Sequence, residues 1–213
     1  MIAHYEDEKI RIHKVVCGPY DNNAYLIVSI GTNESLIIDT PANPGELISL
    51  ANDTNVKTIL ITHNHSDHTQ GLTEVKSALQ SPVAIGESDS WKLSKTIDHI
   101  LRDGEEIIIG TISLKTLATP GHTPGSTSFV IGKHLFSGDT LFPGGPGRSE
   151  SPQNLAQIID TITQKLFTLG DNVTFYPGHG VDGDIKTAKQ EYAIFKSRRH
   201  AKNMFGDIHW LKN

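Results

Sequence analysis

One cysteine, Cys17, serves a chain of 213 residues. That scarcity excludes an intrachain disulfide and any zinc site built from several thiolates, and it fits a reducing compartment. Cys17 itself is expected inside a core, as a small apolar residue. Long apolar runs are also missing: nothing approaches the roughly 18 residues of a membrane span, and the charged opening MIAHYEDEKIR has no stretch of signal-peptide length. The expectation is a soluble, cytoplasmic protein with no membrane partner. Nor is there a basic field. Lys and Arg total 19 against 24 Asp and Glu, a net charge of -5, and basic residues gather only at Lys196, Arg198 and Arg199. Nucleic acid is therefore not an expected partner, whereas a small-molecule substrate is. No low-complexity tract or linker interrupts the chain, so residues 1–213 are read as a single domain, long enough to bury a core without a staple. The sequence carries no sign of an oligomeric state.

What the chain does have is short runs rich in β-branched residues, each stopped by Gly, Pro, Asn or Asp. They predict strands over Ile10 to Val16, Ala24 to Ile30, Ser35 to Ile38, Thr58 to Ile61 and Val83 to Ile85. Further strands are predicted over Glu106 to Ile109, Ile112 to Leu117, Thr127 to Ile131, Lys133 to Phe136 and Val173 to Tyr176. Apolar residues returning every three or four positions predict helices over Gly45 to Ala51, Leu72 to Leu79, Leu155 to Leu166 and Ile185 to Lys196. Strands interleaved with helices in this way make mixed sheets covered by helices, an α/β (α+β) architecture.

Eleven histidines are the second abundance, and three of them fall within THNHSDHTQG. His63, His65, Asp67 and His68 occupy alternate and adjacent positions, so one turn can aim two donor pairs at neighbouring points. Imidazole and carboxylate suit zinc, iron and manganese, and a catalytic zinc keeps about three protein ligands with one position open. Four donors exceed that need and suggest two metals. Three later loops offer more: His122 in TPGHTPG, Asp139 in SGDT and His179 in YPGHG, each after a predicted strand and beside Gly or Pro that let the backbone turn sharply. Loops at strand ends can converge on one sheet edge, where open sheets commonly build sites. A lone histidine or aspartate in such a loop would be an ordinary turn residue; the set is not explained that way.

HxHxDH, a later isolated His, a GD at a strand end and a final GH resemble the metallo-β-lactamase superfamily of metallohydrolases, the hydroxyacylglutathione hydrolase (glyoxalase II) branch above all. The resemblance covers about Ala24 to Gly180 and keeps the motifs in the family's order. It implies a four-layer αββα sandwich of two mixed β-sheets flanked by helices. It also implies that His63, His65 and His122 hold one metal, that Asp67, His68 and His179 hold the other, and that Asp139 bridges them. Two divalent ions, zinc expected and iron or manganese as alternatives, would share a hydroxide that attacks the thioester or ester carbonyl of a small molecule. Asp67 would be catalytic, orienting that hydroxide.

Departures narrow the reading. β-Lactamases of the family carry Cys or Ser where Asp139 stands, so β-lactamase activity ranks below thioester hydrolysis; lactonase activity is also ranked below it. Arg148 falls where glyoxalase II has a glutathione-binding lysine, which makes it the candidate substrate-binding residue; its own surroundings allow an anion clamp or an ordinary surface charge. The family's two tyrosines are Glu150 and Val181 here, and 34 residues follow His179, too few for a separate C-terminal glutathione-binding domain. The run Gly147-Arg148-Ser149-Glu150 also resembles a motif of persulfide dioxygenases, which bind one iron through two His and one Asp. That oxidoreductase activity is the alternative. His4, His13, His99, His134, His200 and His209 are assigned to structure or solvent, and Trp91 and Trp210 to packing.

Overall fold

The computed structural model describes residues 2–212. Seven strands form a first sheet in chain order: β1 (Tyr5–Glu6), β2 (Ile10–Cys17), β3 (Asn22–Ser29), β4 (Glu34–Ile38), β5 (Asn55–Ile61), β6 (Val83–Gly86) and β7 (His99–Leu101). Its first four strands pair antiparallel and its last three join in parallel. The second sheet contains β8 (Glu106–Ile109), β9 (Ile112–Ala118), β10 (Thr127–Ile131), β11 (His134–Gly138), β14 (Thr174–Pro177) and β15 (Gly183–Asp184), in the order β15-β14-β11-β10-β9-β8. Only β11 and β14 run parallel there. A small ribbon, β12 (Leu141–Phe142) with β13 (Gly145–Pro146), lies outside both.

Period-two alternation decides which layer each side chain meets. In β3, Tyr25 and Ile27 enter the core shared with Phe129, Phe136 and Tyr176 of the second sheet, while Ala24, Leu26 and Val28 face the opposite way. There they pack with Leu47 and Ala51 of α1 (Gly45–Ala51) and with Leu72 and Val75 of α3 (Leu72–Leu79). On the far side, Leu135, Val173 and Phe175 meet Leu155 and Ile158 of α4 (Pro152–Thr161) and Ile185 and Phe195 of α5 (Ile185–Lys196). The result is helices, sheet, sheet, helices: the four-layer sandwich of two mixed sheets. Burying each of these Leu, Ile or Phe side chains stabilises by about 1.5–3 kcal/mol, so the three cores hold the layers together.

Helices over Gly45–Ala51, Leu72–Leu79 and Ile185–Lys196 form where the periodicity predicts them. The expected helix over Leu155 to Leu166 is different in kind. It starts earlier, at Pro152, because Ser151 accepts the amide of Asn154 as an N-cap and Pro suits the first turn, and its last five residues, Ile162–Leu166, widen into a π-helical turn. Cys17 is buried, as expected, and burial pushes its thiol up to about 11. Trp91 corrects the reading: it lies on a 3₁₀ turn (Glu87–Leu93) and is 71% exposed, whereas Trp210 is buried among Phe167 and Tyr192. No helix among the described residues is long and apolar enough to cross a membrane.

Six strand ends deliver loops to one edge of the sandwich. From the first sheet come the residue after β4, the HNHSDH loop after β5 and the 3₁₀ turn after β6. From the second come the loops after β9, β11 and β14. The two sheets are tied at this edge, where the amide of Thr127 donates to the carbonyl of Thr62 at 2.8 Å.

Candidate metal centre

His63 and His65 follow β5, His65 in extended backbone, and the chain then closes into the single turn α2 (Ser66–Thr69), carrying Asp67 and His68. Thr69 Oγ1 donates to the carbonyl of His65, and the carbonyl of His68 accepts the amide of Thr40 at 2.9 Å. The second pair is therefore held by its own turn and by the chain just past β4. The helix α3 begins only after Gly71.

All seven predicted donors come together. Three groups of facing ligand atoms form, each within 4.8 Å: His63, His65 and His122; Asp67, His68 and His179; and His63, His68 and Asp139. In the first, His63 Nε2 lies 3.1 Å from His65 Nδ1, and His122 Nε2 lies 3.0 Å from the same atom. In the second, His68 Nε2 and His179 Nε2 are 3.1 Å apart, with Asp67 Oδ2 at 3.2 Å from the latter. Asp139 stands between the two. Its Oδ2 is 3.6 Å from His122 Nε2 and 3.5 Å from His179 Nε2, and its Oδ1 is 3.5 Å from His68 Nε2.

The ring tautomers follow from the partners on the other nitrogen. His122 Nδ1 donates to the carbonyl of Arg148 at 2.8 Å, and His179 Nδ1 to the carbonyl of Tyr20 at 2.8 Å. His68 Nδ1 donates to Asp39 Oδ2 at 2.9 Å. Thr62 Oγ1 gives its own proton to Asp39 at 2.8 Å and so accepts from His63 Nδ1 at 3.1 Å. Every one of these rings is left with a bare Nε2 aimed inward. Two bare nitrogens 3.1 Å apart repel unless a cation lies between them, and Asp139 Oδ1 is buried without a hydrogen-bond partner. Divalent cations fit this donor set of five imidazoles and two carboxylates.

Electrostatics give the same answer. Burial drives His63 well below the ordinary imidazole range, aided by His68, and lowers His65 with His122 as the next cause. The hydrogen bond from His179 holds the Asp67 carboxyl far below the usual range. Burial works against ionising Asp139, but the charge of His68 and the contacts with His179 and His68 outweigh it and keep it ionised. His68 rises despite its burial because Asp139 and Asp39 flank it, and His179 rises to about 10 because Asp139 and Asp67 do. Without metal, protons occupy the places that positive charge is built to fill.

Three contributors escaped the motif reading. Asp39 sits just past β4, buried, in the left-handed region at φ 60, and accepts from Thr62 N, Thr62 Oγ1 and His68 Nδ1. Asp89, buried on the 3₁₀ turn, accepts from Asn64 N, Thr123 Oγ1 and Gly125 N, tying the loop of His63 and His65 to that of His122. Asn64 is thus a buried tie between the two loops, whereas Ser66 is exposed. Asn22 Nδ2 donates to Asp67 Oδ2 at 3.0 Å. The signal for Asp39 was present: Ile38-Asp39-Thr40 repeats the strand-end Asp-Thr of Gly138-Asp139-Thr140.

A cleft of about 430 Å³ opens over the cluster, lined by His122, Asp139 and His179 on its floor and by Phe142, Arg148 and Ile208 among its walls. Arg148 stands on the rim. Its carbonyl orients His122, while its guanidinium donates to Glu150 Oε1 and Asp207 Oδ2, both at 3.0 Å.

An αββα sandwich carrying a His/Asp cluster at one edge defines a metal-dependent enzyme. Residues 17–179 match the family model described as Metallo-beta-lactamase superfamily, and the chain belongs to that superfamily. It is 32% identical over 197 residues to the probable metallo-hydrolase YqgX of Bacillus subtilis (strain 168), an alignment covering 82% of this chain and 92% of that one. It is 35% identical over 154 residues to a hydroxyacylglutathione hydrolase of Idiomarina loihiensis, covering 70% and 59% respectively. To the mitochondrial persulfide dioxygenase ETHE1 of Bos taurus it is 34% identical over 137 residues, covering 62% and 53%. The chain thus spans less than two thirds of these last two proteins. Among solved structures, ETHE1 from Myxococcus xanthus superposes with a TM-score of 0.74 at 28% identity, over 84% of this chain and 81% of that one.

Proposed function

We propose that this chain is a dinuclear metal-dependent hydrolase that cleaves the thioester or ester bond of a small molecule. One observation carries the reading: two three-donor sets stand side by side with the Asp139 carboxylate within 3.6 Å of donors from both. His63, His65 and His122 would hold one ion, Asp67, His68 and His179 the other, with Asp139 shared. Zinc is the expected occupant, and iron or manganese suits the same donors. When bound, such a pair supplies Lewis acidity toward the carbonyl and lowers the pKa of water toward about 7.

The chain's own residues supply position. Asp67, steadied by Asn22, is the carboxylate that would orient the attacking water. His122 and His179 are locked by main-chain carbonyls, so their bare nitrogens cannot swing away. Phe142, its ring 6.3 Å from that of His179, and Ile208 form an apolar wall that limits water around the scissile bond. The cleft's size suits a small substrate. The chain would act as one catalytic domain, because the inner and outer cores are opposite faces of the same two sheets.

A mononuclear iron persulfide dioxygenase is the second reading, favoured by the 34% identity to such an enzyme. The set of Asp67, His68 and His179 speaks for the dinuclear reading, since one iron would leave those donors without a task. Elemental analysis joined to a panel of thioesters, esters and a persulfide, run with and without oxygen, tests both. About two metals per chain and oxygen-independent thioester cleavage are expected. About one iron with oxygen consumption on the persulfide would overturn the hydrolase.

A further inference from the structure

We infer that Arg148 is held by Glu150 and Asp207 in an ion triad that turns the mouth of the cleft against anionic substrates, so that the hydrolase takes uncharged or cationic, partly apolar thioesters or esters. The inference rests on the reading of the site as a hydrolase and names its substrate class.

Backbone register imposes the triad. Ser149 and Gly206 form an isolated antiparallel bridge, with amide-to-carbonyl bonds of 3.2 and 3.0 Å in the two directions. In such a pairing the next residues outward, Arg148 and Asp207, stand directly opposite each other and share a face. Glu150 follows the bridge at a bend in the chain, and its carboxylate turns back onto the Arg148 guanidinium. Both acids are thereby delivered to the guanidinium, at 3.0 Å each. The segment bearing Asp207 is itself pinned, since the amide of Trp210 donates to the carbonyl of Gly144 at 2.8 Å and the indole is buried.

The charge count at the rim follows. Arg148 contributes one positive charge and Glu150 and Asp207 two negative ones, a sum of -1 on the wall where an incoming leaving group must pass. All three side chains are more than half exposed, so the effect is modest and screened by salt. It acts on selectivity among substrates. Beside His179, Tyr20, whose carbonyl accepts from the ring, and Val181 are exposed, and Lys14 donates to the carbonyl of Gly180 and to Asp182 Oδ1, both at 2.7 Å. A substrate with carboxylates in its thiol arm meets a net negative charge on the Arg148 wall and, beside His179, a lysine whose charge is already met by Asp182.

The test uses the metal-loaded full chain and two matched pairs of probes. Each pair shares one acyl or benzyl group, carried either on glutathione, with net charge -1, or on an uncharged amide thiol. One pair consists of thioesters, read as kcat/KM; the other consists of unreactive S-benzyl thioethers, read as Kd by calorimetry. The uncharged member is expected to bind and react more tightly by about fivefold or more. In the double variant Glu150→Gln with Asp207→Asn, the ratio of anionic to uncharged should rise by about fivefold, and 0.5 M salt should shrink the wild-type preference. Equal binding of the two thioethers, or a ratio that the double variant leaves unmoved, would overturn the inference. Thioethers that bind with the expected preference while no thioester or ester is cleaved would instead overturn the hydrolase reading and keep the charge preference of the cleft.

Discussion

Asp39 and His68 are joined by a 2.9 Å hydrogen bond in the interior, Nδ1 donating to Oδ2, although neither belongs to the other's loop. The same carboxylate takes the hydroxyl of Thr62, which in turn orients His63. One buried acid therefore sets a donor in each half of the cluster. Removing such a partner costs metal sites about 10- to 100-fold in affinity. Asp39→Ala is expected to weaken metal binding by that order, measured by chelator competition, with Asp39→Asn retaining more. Unchanged affinity in both variants would contradict the assignment.

Asp67 and Asp139 are the two carboxylates of the cluster itself. His65→Ala and Asp139→Ala are each expected to lose bound metal and hydrolysis together, read by elemental analysis beside a thioester assay. A variant with full activity would end the proposed mechanism.

His179 gives the metal-free protein a pH signature. Its pKa is raised from 6.5 to about 10 on folding. A group so raised stabilises the fold fully below 6.5 and loses that contribution as pH climbs through about 10. Asp67 and Asp139 are depressed, so their contribution is present above 3.8 and fades as pH falls below it. The melting temperature of chelator-treated protein should therefore decline between about pH 7 and 10, and His179→Asn should flatten that decline. Identical slopes in both proteins would refute the link.

Asp89 separates structural support from ligation. Asp89→Ala leaves the amides of Asn64 and Gly125 and the hydroxyl of Thr123 without their acceptor inside the fold. Each such loss costs about 1–3 kcal/mol. Urea unfolding should show a drop of about 3 kcal/mol or more, and metal titration should show the His63, His65 and His122 set weakened first.

Gly178 tests close packing beneath the cluster. A methyl group there would collide with Asp139 Oδ1 and His68 Cε1. Gly178→Ala is expected to keep its circular dichroism spectrum yet lose metal occupancy, because it displaces His68 together with the carboxylate that stands between both donor sets.

Much of this was legible locally. Residues 63–68, 122, 139 and 179 announce themselves because ligand chemistry demands particular side chains in short motifs, and the longer strands because a half-buried sheet demands alternation. The strands of two or three residues, such as β1 and β13, are too brief to show any period. Asp39 and Asp89 drew no reading as site residues, because their partners lie 23 to 36 residues away. Trp91 was misjudged for a related reason: a 3₁₀ turn has no long buried stripe, so nothing in its neighbours reveals which way one indole faces. The pairing of Ser149 with Gly206 spans 57 residues and leaves no local trace.

The bond from Thr127 to Thr62 crosses from one sheet to the other, and the ligands divide along that seam. His63, His65, Asp67 and His68 leave the first sheet; His122, Asp139 and His179 leave the second. Neither half owns a complete set for either ion once Asp139 is counted. High-affinity capture must then wait until the halves have docked, which makes metal loading a late event in folding. Ions held by these donors would span both leaves and add their hold to that of the core between them.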